Sequence, residues 1–196
     1  PFALRRAALG ILRIIIENKL PLDLKQLISL SCAQFDHSFD ADSTAELVFN
    51  FMLERLKGYC LAQQYTAEQF AAVASVNCPE PVDFMNRMFA VKEFAALDEA
   101  TSLAAANKRI QNLLKKAPAD VASLFNPSLL LEPQELELHK QLQQIENQVN
   151  PLIEQHGYIE ALKLLSSLKQ AIDDFFEHTF IMAEDEKLKH TRLGLL

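Results

Sequence analysis

The feature that most constrains this chain is its poverty in turn-forming residues: 4 glycines and 8 prolines punctuate 196 residues. Sandwiches, barrels and nucleotide-binding α/β folds reverse direction often and draw on those two residues to do it. The rest of the sequence is rich in Ala, Leu, Lys, Glu and Gln, whose side chains lose little rotamer freedom in a helix. The expected fold class is therefore all-α, a helical bundle. Apolar residues at 49 % and charged residues at 23 % exclude a disordered chain. A formal net charge of −7 excludes bulk attraction to nucleic acid, so such a partner would need a local basic patch.

Apolar spacing supplies the elements. Leu4, Ala8, Ile11, Leu12 and Ile15 share one face of a helix over 3–17, and Pro21 suits the first turn of the next. After a polar loop at 34–43, Ser43 with Glu46 has the capping-box spacing for a long helix burying Val48, Met52, Leu56 and Tyr59. Thr66 with Gln69 repeats that signal, and Pro79-Glu80-Pro81 breaks the chain before a helix with Phe84, Met88 and Val91 inward. Asp98 is the expected N-cap of a helix whose buried stripe is Leu103, Ala106, Ile110, Leu113, Leu114 and Ala117. Pro133 opens a helix that Asn150-Pro151 is expected to kink or interrupt, with Gly157 as a left-handed stop. A long helix is expected from Tyr158 to about Glu177, and a last one after Met182. Residues 1–97 read as a helical connector and 98–196 as a second helical module with a truncated last helix. The missing initiator Met points the same way, to a piece of a longer chain.

Enzymatic templates are absent. There is no GxSxG, Walker A loop, GxGxxG or HExxH, so no catalytic residue is expected. His37, His139, His156, His178 and His190 lack ligand-type partners at helical spacing, so no metal site is expected, and Asp36-His37 reads as a solvated loop. Asp173-Asp174 reads as a solvated helix face or a bridge to a nearby Lys. Cys32, Cys60 and Cys78 are an odd number without CxxC spacing, which suits reduced core thiols in a cytoplasmic protein. No uncharged apolar run reaches membrane-spanning length.

Charge is unevenly placed. Lys108, Arg109, Lys115 and Lys116 contribute +4 with no acid among them, whereas residues 117–186 carry 3 basic and 13 acidic residues. With Ile110 at the centre of the buried stripe, Lys108, Asn112 and Lys115 lie opposite it, flanked by Arg109 and Lys116. Asn107 points nearer the stripe and is expected to be buried and hydrogen-bonded. Cations and an amide on one outward face suit phosphate oxygens and base edges. Equally, Lys115 and Lys116 could simply complement the helix C-terminal dipole. A second patch, Arg5, Arg6, Arg13, Lys19 and Lys25 against Glu17 and Asp23, reads first as a face packed on an upstream domain and second as an RNA contact.

Several segments together carry a family resemblance. Residues 2–13, Phe-Ala-Leu-Arg-Arg-Ala-Ala-Leu-Gly-Ile-Leu-Arg, resemble the opening of the C-terminal region of the beta subunit of bacterial glycyl-tRNA synthetase. Ala104-Ala105-Ala106-Asn107-Lys108-Arg109-Ile110, followed by Asn112 and Leu114-Lys115-Lys116, is similar to that family's most recognisable segment. Glu132-Pro133-Gln134-Glu135, Asp174-Phe175-Phe176, Ile181-Met182-Ala183-Glu184-Asp185 and Arg192-Leu193 follow in the family's order. His178-Thr179-Phe180 departs from an expected shorter Val-Met stretch, and Thr191 stands where Asn is usual.

The resemblance implies a two-subunit class II synthetase, an alpha2beta2 tetramer in the cytoplasm, whose alpha subunit holds the ATP- and Mg-dependent aminoacylation site. It implies no cofactor in the present region. It also implies that residues 98–196 form a DALR-like anticodon-binding bundle docking on the anticodon stem-loop of glycine tRNA, with neither DNA nor a membrane as partner. Glycine anticodons share two cytosines, the implied target. The residues expected to bind tRNA are Lys108, Arg109, Asn112, Lys115 and Lys116, with Arg192, Arg5, Arg6 and Arg13 in support. Phe175 or Phe176 could stack on a base, although their helical spacing favours core packing. The alternative is a non-catalytic structural module packing on another domain or subunit.

Overall fold

The computed structural model describes residues 2–36, 39–115, 117–118 and 120–196, which form helices and connecting segments with no strand among them. They divide into two compact units, 1–93 and 94–196.

The first unit contains α1 (Phe2–Glu17), α2 (Leu24–Cys32), α3 (Ala41–Ala62), α4 (Ala67–Ala74) and most of α5 (Pro81–Ala95). Helix α3 is its spine and packs against α1, α2 and α4. Leu12, Met52, Leu56, Phe70, Val73, Phe84 and Met88 form the core, with the Phe70 and Phe84 rings 5.2 Å apart. Burying each such side chain stabilises the unit by about 1.5–3 kcal/mol before entropy is counted. On α1 the stripe is narrower than its apolar pattern: Ala8, Leu12 and Ile15 are buried, but Leu4 and Ile11 are exposed. On α3, Phe49 turns inward and Val48 outward.

The capping signals fared unevenly. Thr66 and Gln69 form the expected reciprocal box: the Gln69 N–H donates to Thr66 Oγ1 at 3.2 Å and the Thr66 N–H to Gln69 Oε1 at 2.9 Å. The Ser43–Glu46 pair does not start α3. Asp40 caps it instead, accepting from the Ser43 N–H at 3.0 Å, because a carboxylate there reaches the orphan amide one turn earlier.

The second unit contains α6 (Asp98–Leu114), 3₁₀ turns at Val121–Leu124 and Pro127–Leu129, α7 (Pro133–Glu154), α8 (Tyr158–Ser166), α9 (Lys169–His178) and α10 (Glu186–Gly194). Helices α6 and α7 each pack against α8 and α9, and α10 lies on the 3₁₀ turns. A Cβ at Gly194 would lie 3.0 Å from Phe125 Cβ and 3.2 Å from the Val121 carbonyl oxygen, so glycine relieves a tight approach there. The core gathers Leu138, Ile145, Val149, Ala161, Leu168, Ile172, Phe175 and Leu193.

Three expectations fail here for identifiable reasons. The long helix over 158–177 is two helices, because the Ser166 and Ser167 hydroxyls donate back to the Lys163 and Leu164 carbonyls and compete with the helical ladder. Helix α7 is not interrupted at Asn150-Pro151 but runs on to Glu154, since a proline in the last turns forfeits only one ladder bond. Its stop is at His156 (φ 58°), not Gly157. The Gly157 N–H donates to the Leu152 carbonyl and the His156 N–H to that of Ile153, a Schellman closure with histidine in the left-handed position.

Candidate nucleic-acid interface

Helix α6 presents its cations outward. Its buried side is held by Ala106, with Ile110, Leu113 and Ala117 packed against the core. Lys108, Arg109, Asn112 and Lys115 are all exposed. Lys116 lies outside the described residues. Asn107 is exposed too, which corrects its expected burial: a residue one step from Ala106 already sits at the edge of so narrow a stripe.

Arg109 and Asn112 do not stand alone. With Leu113, with Phe176 from α9 and with the segment Thr179–Met182 that follows α9, they line a cleft of about 380 Å³. The Arg109 guanidinium lies over the Phe176 ring, 3.8 Å from its centroid. That cation–π contact holds the planar fork in place and leaves its edges free for hydrogen bonds. Phe180 is 72 % exposed and Met182 is exposed beside it. Thr179 is buried, and its hydroxyl meets no protein partner.

The two aromatic candidates separate. Phe175 is fully buried in the core, and Phe176 is the shelf beneath Arg109. The free aromatic face belongs to Phe180, which periodicity could not find because it follows the end of α9. The visible signal was the departure His178-Thr179-Phe180 from the family's aliphatic stretch.

Arg192 must be corrected as a contact residue. Its side chain is buried; Nε donates to Glu135 Oε1 and Nη1 to the Phe180 carbonyl, the latter at 2.7 Å. The second Glu135 oxygen accepts from the Leu131 and Glu132 N–H groups at 2.9 and 3.0 Å. A guanidinium so engaged has no free face for RNA. It fixes the segment carrying Phe180 to the start of α7. The neighbouring Thr191 is fully buried with an unpartnered hydroxyl.

Arg5, Arg6 and Arg13 belong to the first unit, where all three are exposed on α1. They line a groove with Arg55 of α3, a residue absent from the sequence-based candidates.

Among the described residues no three His, Cys, Asp or Glu side chains could jointly hold a metal ion; His37 lies outside them. Asp173 pairs with Lys169 at 2.7 Å and Asp174 accepts from Gln170 at 2.8 Å. Burial pushes the Cys60 and Cys78 thiols up to about 11, aided at Cys78 by Asp83, so neither is a ready nucleophile. No helix among the described residues is long and apolar enough to cross a membrane.

Two family models match separate parts of the chain. Residues 1–75 match the family model of the glycyl-tRNA synthetase beta subunit, and residues 103–196 match that of the DALR anticodon binding domain. A glycine–tRNA ligase beta subunit of Shewanella denitrificans is 42 % identical over all 196 residues, which cover 28 % of that relative. Beta subunits of Psychromonas ingrahamii and Shewanella halifaxensis are each 40 % identical over the whole chain and again 28 % of their own length. The chain thus spans a little over a quarter of the curated relatives it matches, in their C-terminal region. It belongs to the glycyl-tRNA synthetase beta-subunit family, and its second unit carries that family's DALR anticodon binding domain.

Proposed function

We propose that the second unit binds the anticodon loop of glycine tRNA and holds one unstacked base in the cleft between α6 and the segment after α9. The observation that carries this reading is the Arg109–Phe176 stack beside exposed Phe180. Single-stranded RNA is recognised by stacking splayed bases on aromatic rings or guanidinium planes and by hydrogen-bonding their edges. Phe180 offers the stacking face. Arg109 and Asn112 offer donors to the N3 and O2 acceptors of a cytosine, and the Asn112 amide oxygen can accept from its N4 amino group. Lys108 and Lys115 stand on the same exposed face to contact phosphates.

In this reading the chain supports aminoacylation without performing it. ATP, Mg and glycine are handled by the alpha subunit of an alpha2beta2 enzyme in the cytoplasm.

The decisive experiment is charging and footprinting with the assembled enzyme. The double change Lys108→Glu, Arg109→Glu is expected to abolish most glycine charging with assembly intact and to remove protection of the anticodon loop. Phe180→Ala is expected to weaken tRNA binding by about 1–3 kcal/mol, the worth of one base–aromatic stack. Lost assembly, or charging unaffected by either change, would establish a purely structural module instead.

A further inference from the structure

We infer that the first unit carries its own binding site for an RNA phosphodiester backbone, the groove between α1 and α3. The inference takes its partner, tRNA, from the function proposed above but uses none of the same residues.

The groove encloses about 760 Å³, and its lining includes Arg5, Arg6 and Arg13 of α1 and Glu54, Arg55 and Gly58 of α3. Four guanidinium groups therefore face one carboxylate. Arg13 pairs with Glu17 and Arg55 with Glu54, each at 2.9 Å, and both carboxylates are exposed. Exposed carboxylates hold their partners only weakly, so a phosphate can take their place. Arg5 and Arg6 have no carboxylate partner among the described residues. The Nε of Arg55 is buried without a hydrogen-bond partner, while its guanidinium lies 5.2 Å from the Phe51 ring centroid and its Nη2 reaches Glu54.

A second observation concerns Gly58. It lies inside a 22-residue helix, where glycine is less favourable than alanine because it loses more backbone freedom on folding. Neither packing nor backbone geometry requires it: a Cβ there would meet nothing within 4 Å, and no glycine of the chain has positive φ. What glycine does at this position is keep the groove floor low, as where a ligand's backbone approaches closely.

The occupant follows from the chemistry. Guanidinium forks bind phosphate oxygens in a bidentate manner, and they are preferred over Lys where such planar recognition matters. The groove contributes cations and an open floor but few groups to distinguish bases, so it should position RNA without reading its sequence. An acidic protein segment is the competing occupant.

The test is tRNA binding by the full-length subunit as a function of salt. Replacing Arg5, Arg6 and Arg13 together by Ala is expected to weaken glycine tRNA and an unrelated tRNA equally, roughly tenfold or more near 0.1 M salt. The slope of log K against log salt should shrink by about one for each phosphate no longer neutralised. Gly58→Leu, which leaves every charge in place and improves helix propensity, is expected to weaken binding similarly by filling the floor. Glu54→Gln is expected to tighten binding. An unchanged salt slope and affinity in the arginine variant, or weakening explained wholly by misassembly because another part of the protein covers the groove, would overturn the inference. Arg109→Ala separates the two readings. If only the anticodon proposal is wrong, that change leaves discrimination between anticodons intact while the arginine variant still flattens the slope. If only the groove inference is wrong, the pattern is reversed.

Discussion

Arg192 carries its charge into the interior of the second unit, where it is buried. A cation near the end of an RNA-binding module suggests a phosphate contact, but Glu135 takes its Nε and the Phe180 carbonyl its Nη1. Glu135 is itself fully buried. Removing one member of a buried pair strands the other charge in low dielectric and is destabilising by about 3–5 kcal/mol. Glu135→Ala is therefore expected to lower the unfolding free energy of the second unit by that amount, read by urea denaturation. The double change Glu135→Leu, Arg192→Met should recover most of the deficit, since no charge is then left unpaired. The double variant should still bind tRNA less well than the parent, because Arg192 also anchors the segment that presents Phe180. Recovery of stability together with full tRNA affinity would show that this anchoring is dispensable.

At the scale of elements, the shortage of glycine that selects an all-helical fold also shapes how the helices end. Among the described residues, left-handed positions fall on Lys19, Gln64, Asn77 and His156, and none on glycine. At Gln64 the closure is a Schellman pair, with the Tyr65 N–H donating to the Cys60 carbonyl and the Gln64 N–H to that of Leu61. An L-residue there carries a penalty of about 1–2 kcal/mol relative to glycine. Gln64→Gly is expected to raise the stability of the first unit by about 1 kcal/mol, measured as a higher Tm. His156→Gly should gain less, because His156 Nδ1 lies 3.2 Å from the Tyr158 hydroxyl and glycine cannot replace that interaction.

On the scale of the whole chain, each of the two units has a hydrophobic core of its own. Leu138→Ala in the second core is expected to destabilise by about 2–5 kcal/mol. Hydrogen exchange should show faster exchange in amides of α7–α9, with protection in α3 and α5 unchanged. Equal acceleration in both sets would mean that the units unfold as one. The charge is partitioned as well. The net charge of −7 does not oppose the proposed RNA contacts, because the cations stand out on α6 and in the α1–α3 groove rather than being spread evenly.

The helical class, the outward face of α6 and the box at Thr66–Gln69 are legible in the sequence, because each depends on neighbours within one or two helical turns. The family likewise was legible, in ordered motifs such as Ala104–Ile110 and Ile181–Asp185. Only the tertiary structure decided the cleft. Arg109 and Phe176 are 67 residues apart in sequence, and no periodicity relates them. The same holds for Arg192 with Glu135, and for Arg55 joining Arg5, Arg6 and Arg13. Helical spacing says which side of its own helix a residue occupies, but not which other helix will face it. That second fact is set by how the cores pack, and it decides whether a cation is buried in a pair or left free to bind.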